Sequence, residues 1–265
     1  MSRILEGKIV LVTGGASGLG KAIAKACLDN KAKVVLADIN DELATQTTIE
    51  LRQICACPPD YITSTTLDVP DESSAAAAVE FSVRLFGRLD VLVNNAGIFD
   101  GFHGAATCEK EVWDRILRVD LTGAFLMTKY AVQHFLGRGD GKPSSGSIVN
   151  IGSTASTRGA LAGVAYTTAK HGLIGLTKNT AAVYATQGIR TNIILPGGMH
   201  TSIQSSMPKD VSAEGVAISQ QVVDIPVGVY LDVDVVAATV VFVASDSGAG
   251  MNGAIVDVDN GLNAF

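Results

Sequence analysis

Two hydrophobic periodicities take turns along this chain. Short β-branched runs bounded by Gly, Asn or Asp alternate with longer segments whose apolar residues recur three and four apart. That alternation predicts an α/β fold, in which crossover helices connect the strands of a parallel sheet. The predicted strands are Lys8–Val12, Lys33–Ala37, Ile62–Leu67, Val91–Val93, Ser147–Ile151, Arg190–Leu195 and Ala254–Val258. Most are apolar on both faces, as strands covered on two sides must be. Helical spacing falls at Leu19–Asn30, Asp71–Phe86, Lys110–Phe135, Ala162–Thr186 and Asp232–Ala244. No linker rich in Ser, Pro or Gly divides the 265 residues. The expectation is therefore one domain over residues 1–265: a doubly wound parallel sheet of about seven strands with helices on both faces.

Composition narrows the partners. Hydrophobic residues make up 47% and charged residues 17%, against about 25% charged in an ordinary soluble domain, which excludes disorder for the body of the chain. Twenty Lys and Arg stand against 26 Asp and Glu, for a net charge of −6 with no basic block, so nucleic acid is not an expected partner. Apolar stretches such as Val235–Ala244 fall short of the roughly 18 residues that cross a bilayer. The first residues run directly into a strand pattern, and the expectation is a cytoplasmic protein without membrane contact. Cys27, Cys55, Cys57 and Cys108 are too scattered for a disulfide framework, and no His or second Cys pair completes a metal site. The segment Gly137–Gly146 reads as a flexible polar loop. Residues 196–230 break the rhythm, with Pro196, Pro208 and Pro226 among Met199, Ile203, Met207, Val211 and Ile218. Loops of that length in a compact domain are usually functional, and this one reads as a lid over an apolar ligand.

After the first strand, Thr13-Gly14-Gly15-Ala16-Ser17-Gly18-Leu19-Gly20 opens directly onto a helix. Glycine allows a tight turn, a close approach of backbone to a pyrophosphate and close packing of helix on strand. The helix N-terminus then offers free N–H groups and the positive end of its dipole to phosphates. Asp38 ends the second strand, 18 residues beyond Gly20. A carboxylate there accepts hydrogen bonds from a ribose diol and repels a 2′-phosphate, and no Arg or Lys at Ile39, Asn40 or within the turn offsets that repulsion. The expected cofactor is NAD(H) rather than NADP(H), in a Rossmann-type fold.

Tyr166 and Lys170 are four apart in a predicted helix and so share a face. A phenol is a poor base near neutrality, but an adjacent ammonium stabilises its phenolate. Ser153 follows the fifth strand, at the carboxyl edge where open α/β sheets bind ligands. Asn94-Asn95-Ala96-Gly97 and Pro196-Gly197 follow the fourth and sixth strands and should meet in the same crevice.

These motifs together resemble the short-chain dehydrogenase/reductase family over essentially the whole chain. The turn from Thr13 to Gly20 matches the family's TGxxxGxG, with Gly14, Ser17, Gly18, Leu19 and Gly20 as cofactor contacts. Asp68 and Val69 sit where the family contacts adenine, and Asn95, Ala96 and Gly97 lie in its NNAG motif. Ser153 with Tyr166 and Lys170 matches its catalytic Ser and YxxxK. Pro196-Gly197 through Thr201 resembles its PGxxxT segment, whose Thr and the residue two before it, here Met199, meet the nicotinamide carboxamide.

The resemblance implies that Ser153 holds the substrate oxygen and Tyr166 exchanges its proton. Lys170 depresses the Tyr pKa and holds the nicotinamide ribose, for interconversion of a secondary alcohol and a ketone. It also implies assembly as a homotetramer. The pocket would be lined by Ile98, Phe99, Phe102, His103, Thr154 and Leu161 with the lid, a mostly apolar set that suits an alicyclic, terpenoid, steroid-like or polyketide-like molecule. One departure matters: where the family commonly has Asn in V-N-L-x-G, this chain has Asp120. Its charge is expected to pair with Lys170, weaken the pull of the ammonium on Tyr166 and move alcohol oxidation to higher pH. Two other readings stay open: non-redox biosynthetic chemistry, such as isomerisation or cyclisation, and a catalytically silent dinucleotide sensor.

Overall fold

The computed structural model describes residues 3–137, 145–223 and 230–264. Strands β1 (Ile9–Thr13), β2 (Lys33–Asp38), β3 (Ile62–Thr66), β4 (Val91–Asn94), β5 (Gly146–Ile151), β6 (Ile189–Pro196) and β7 (Ile255–Val258) form one parallel sheet in the order β3-β2-β1-β4-β5-β6-β7. The helices are α1 (Gly18–Asp29), α2 (Asp41–Ile54), α3 (Glu72–Phe86), α4 (Lys110–Leu117), α5 (Ala124–Leu136), α6 (Val164–Tyr184), α7 (Ala213–Val223) and α8 (Val233–Ala244).

Because side chains alternate across a strand, one run of residues serves two cores. Val10, Val12, Val34, Leu36, Val91 and Val93 pack with α1 and α8. Their neighbours Leu11, Val35, Ala37 and Leu92 pack with α3 and α5 on the opposite face. Both faces are therefore covered, as the continuous apolar strands require. Helix α6 lies over β6, with Leu173 against Ile193 and Leu195. A polar pin fixes it. Asn94 and Asn150 are register partners on β4 and β5, the Asn94 amide donates to Asn150 Oδ1 at 2.8 Å, and Asn150 Nδ2 donates to Thr177 Oγ1 of α6 at 2.8 Å. Strand order reverses between β1 and β4. That reversal opens a crevice at the carboxyl ends of the strands, where ligands bind in this architecture.

Three features depart from the sequence reading. Helix α2 lies in a stretch that the periodicity did not mark: its buried face consists of Ala44, Thr47, Thr48 and Leu51, so two threonines stand where aliphatic residues would have signalled a helix. Asn40 starts it, its side chain accepting from Leu43 N at 3.0 Å. The expected continuous helix Lys110–Phe135 is instead α4 and α5 joined by a wider π-type turn, Arg118–Gly123, a kind of bulge that recurs at functional sites. The predicted lid 196–230 holds a short 3₁₀ turn, Ser202–Ser206, and the helix α7; residues 224–229 of it lie outside the described residues. Most of the loop expected at Gly137–Gly146, residues 138–144, also lies outside them.

Arg190 closes the far end of α8. Its guanidinium donates to the carbonyls of Val243, Ala244, Ser245, Gly248 and Met251 at 3.0–3.3 Å; those of Val243 and Ala244 are in the last turn of α8, which a helix leaves without intrahelical partners.

Candidate active site

The Gly-rich turn is held from three sides. Asn95 Nδ2 donates to Thr13 O at 2.9 Å and Gly14 O at 3.0 Å. Thr13 Oγ1 accepts from the backbone N–H groups of Asn95 and Ala96, both at 3.0 Å. Asp38 Oδ2 accepts from Ala16 N at 3.0 Å and Oδ1 from Asn40 N at 3.0 Å, which still leaves lone pairs on both oxygens for a diol. Gly18 adopts φ +50°, a left-handed conformation that favours glycine. A Cβ at Gly20 would overlap Gly14 O, so the first turn of α1 can lie against the loop only with glycine there. No side chain caps α1, which leaves its first N–H groups available to an anion. Gly14, Ser17, Leu19, Gly20, Asp38, Asp68, Val69, Asn95, Ala96 and Gly97 line one wall of a cavity of about 680 Å³. Together they form a glycine cradle, an open helix N-terminus and a carboxylate at the end of β2, and this donor set fits the phosphates and ribose of a dinucleotide.

The same cavity is lined by Ser153, Tyr166, Lys170, Pro196, Gly197, Met199, Thr201, Phe99 and Leu161. Ser153 caps the 3₁₀ turn after β5, its Oγ accepting from Ala155 N at 3.1 Å, and it lines the cavity together with Tyr166. Tyr166 is 5% exposed and Lys170 3%. The Lys170 Nζ lies 5.2 Å from the centroid of the Tyr166 ring and donates to Ile151 O at 3.3 Å. Behind it, within the π-type turn, Asp120 is 1% exposed. Asp120 Oδ1 accepts from Ile98 N at 2.9 Å, and Oδ2 stands 3.4 Å from Lys170 Nζ. The latter contact is an ion pair rather than a well-formed hydrogen bond.

The electrostatics follow from this row. Burial pushes the Tyr166 phenol above its ordinary pKa; the Lys170 cation and, less strongly, the Ser153 hydroxyl oppose that rise, and the charges of Asp120 and Asp100 add to it. Burial alone would lower the Lys170 pKa, but Tyr166 and Asp120 together hold it above the ordinary value. Burial raises the Asp120 carboxyl to about 6, with Lys170 pulling the other way.

Phe102 and His103 are not among the residues that line the cavity. The Phe102 ring packs 5.3 Å from Phe99. His103 Nδ1 lies 3.3 Å from Thr107 Oγ1 and its Nε2 3.5 Å from Asp210. Gly18 contributes backbone to the turn without lining the cavity. Several residues that the motifs did not single out also shape the site. Ser206 Oγ accepts from Phe99 N at 2.8 Å, Arg115 donates to Ser206 O at 2.7 Å, and Ser17 and Ser202 share a 2.7 Å hydrogen bond. His200 stacks on Tyr230 at 4.0 Å. Among the described residues no His, Cys, Asp and Glu cluster could hold a metal ion, and no helix is long and apolar enough to cross a membrane.

Comparison with known proteins agrees with this geometry. Residues 14–263 match a family model described as enoyl-(acyl carrier protein) reductase. A short chain dehydrogenase/reductase of Colletotrichum higginsianum is 41% identical, covering 97% of this chain and 94% of its own. A 3beta-hydroxysteroid dehydrogenase of Eggerthella lenta is 34% identical over 99% and 97%. The crystal structure of a 3-ketoacyl-(acyl-carrier-protein) reductase from Brucella melitensis, complexed with NADH, superposes with a TM-score of 0.84 at 30% identity, covering 97% and 99%. Seven parallel strands, a glycine cradle and a Ser-Tyr-Lys set in one cavity, joined to these full-length similarities, establish that the chain belongs to the short-chain dehydrogenase/reductase family.

Proposed function

We propose that this protein is an NAD(H)-dependent oxidoreductase that interconverts a secondary alcohol and a ketone on a mostly apolar, cyclic small molecule. The observation that carries the reading is the meeting of Ser153, Tyr166 and Lys170 with the glycine cradle in a single cavity. The bound dinucleotide supplies or accepts the hydride at its nicotinamide ring. The chain's own residues handle the rest. Ser153 donates a hydrogen bond to the substrate oxygen, Tyr166 exchanges the proton with that oxygen, and Lys170 stabilises the phenolate form and hydrogen-bonds the nicotinamide ribose. Met199 and Thr201 would meet the nicotinamide carboxamide, with Pro196 and Gly197 lining the cavity beside them. Asp38 takes the adenosine ribose diol and disfavours a 2′-phosphate.

Ile98, Phe99, Leu161 and Ile203 form an apolar wall beside Tyr166, which supports a cyclic hydrocarbon skeleton over a sugar. The similarity to a hydroxysteroid dehydrogenase points the same way. Exposed Phe125, Val183, Phe242 and Ile255 support burial of these faces in a homotetramer, which light scattering of the purified protein would show. The functional test is turnover of NAD with a panel of cyclic secondary alcohols, together with binding titrations of NADH and NADPH. Oxidation of panel members and tighter NADH binding are expected. No turnover with any alcohol or ketone, or a preference for NADPH, would reject the reading.

A further inference from the structure

Asp100 follows the Asn94-to-Gly97 motif and is 2% exposed. Its carboxylate is committed to three backbone N–H groups. Oδ1 accepts from Gly163 N at 2.8 Å and from Phe102 N at 3.2 Å; Oδ2 accepts from Tyr166 N at 3.0 Å. Helix α6 has no side-chain cap of its own at Gly163, so Asp100, reaching across from the β4 loop, caps it. A carboxylate is well placed there, because it satisfies orphan donors and sits at the positive end of the helix dipole. His103 O accepts from Val164 N at 2.9 Å and completes the docking. A Cβ at Gly163 would collide with the Asp100 carboxylate, so glycine is what permits the approach.

The other side of the same loop holds the segment that covers the cavity. Ser212 N donates to Gly101 O at 2.8 Å, Phe99 N donates to Ser206 Oγ at 2.8 Å, and α7 lies against the Phe102 carbonyl at Gly215. Phe102 itself has φ +62°, a strained conformation for a bulky residue that persists only where its surroundings hold it. Asp100 accepts that residue's N–H. Residues 99–103 thus touch the covering segment on one side and the first turn of the helix bearing Tyr166 on the other.

We infer that Asp100 is a positioning residue: its carboxylate locks the Tyr166 backbone and the 201–216 covering segment into one geometry, so that closure over substrate and placement of the phenol occur together. The inference rests on the proposed function. Removing the carboxylate frees the end of α6, and displacements of the order of an ångström at a reacting group cost up to about 100-fold in rate.

The test uses Asp100→Asn and Asp100→Ala in the full-length protein, with three readouts: NADH affinity, steady-state kinetics with NAD and cyclic secondary alcohols such as cyclohexanol, and amide hydrogen exchange. Expected are NADH affinities within about twofold of wild type, kcat lowered by about 10-fold in Asn and about 100-fold in Ala, and protection lost together at residues 163–167 and 201–216 in both variants. The Asn variant retains one acceptor oxygen and should recover part of the loss. Unchanged protection, loss in only one of the two segments, or loss of NADH binding in both variants would overturn the inference, the last by showing a role in folding alone. If wild type turns over none of the alcohols, the proposed function fails while hydrogen exchange still decides the positioning role.

Discussion

The Lys170 ammonium and the Asp120 carboxylate form an ion pair sealed from solvent, Nζ to Oδ2 3.4 Å, directly behind the phenol of Tyr166. A cation that would otherwise act on Tyr166 alone is shared with a second anion. On the proposed mechanism Tyr166 is the base in alcohol oxidation, and the rate should then rise with pH as the phenol ionises. The Asp120 charge raises the Tyr166 pKa, and Asp120→Asn removes that charge while keeping an oxygen for Ile98 N. The pH–rate profile of the variant should move to lower pH. A superimposable profile would show that the charge at 120 has no bearing on proton transfer.

The same carboxyl leaves a mark on stability. Its pKa rises from 3.8 to about 6 on folding, chiefly through burial. An acid with a raised folded-state pKa favours folding where it is protonated in both states, and that advantage is lost as pH rises through the folded value. Wild type should therefore lose stability relative to Asp120→Asn between pH 3.8 and about 6, and the difference should be constant above that window. Urea midpoints measured across the window check this; parallel curves would contradict it.

Much of the site was legible because its chemistry is local. Gly14 through Gly20, Asn95 to Gly97, and Tyr166 with Lys170 each lie within one turn or loop, so spacing alone reports their geometry. The apolar strands were legible for the same reason. Asp100 was not, because the helix it caps lies 63 to 66 residues away and no local pattern marks a cap supplied from a distant loop. The turn at Arg118–Gly123 escaped because six residues are too few to separate helical from π-type spacing. Helix α7 was hidden in the Pro-interrupted segment for want of an apolar stripe, its residues being AEGVAISQQVV.

Asp38 serves both as a brace for the turn and as the expected ribose acceptor. Asp38→Ala should weaken NADH binding by about 10-fold or more, the equivalent of one charge-assisted hydrogen bond. The proposed preference for NADH over NADPH should shrink at the same time, since the repulsion of a 2′-phosphate would be gone. Fluorescence titration with both cofactors measures the two effects. An unaltered preference would assign selectivity elsewhere.

Arg190 offers a check on the scaffold independent of catalysis. Its guanidinium bonds five carbonyls around the end of α8, a fork that a lysine ammonium cannot reproduce. Arg190→Lys should lower unfolding free energy by about 2–4 kcal/mol, seen as a reduced urea midpoint at unchanged slope. A midpoint equal to that of wild type would mean that water replaces those bonds at no cost.

Catalysis by the phenol of Tyr166 is tested most directly by Tyr166→Phe, assayed for kcat with cofactor affinity measured on the same preparation. The ring and its packing against Phe99 at 4.6 Å remain, so only the hydroxyl is lost. NADH should bind as it does to wild type while kcat falls by about 10²- to 10⁴-fold, the usual contribution of a positioned acid or base. A variant that binds NADH and turns over at the wild-type rate would contradict the assignment of Tyr166 as the group that moves the proton.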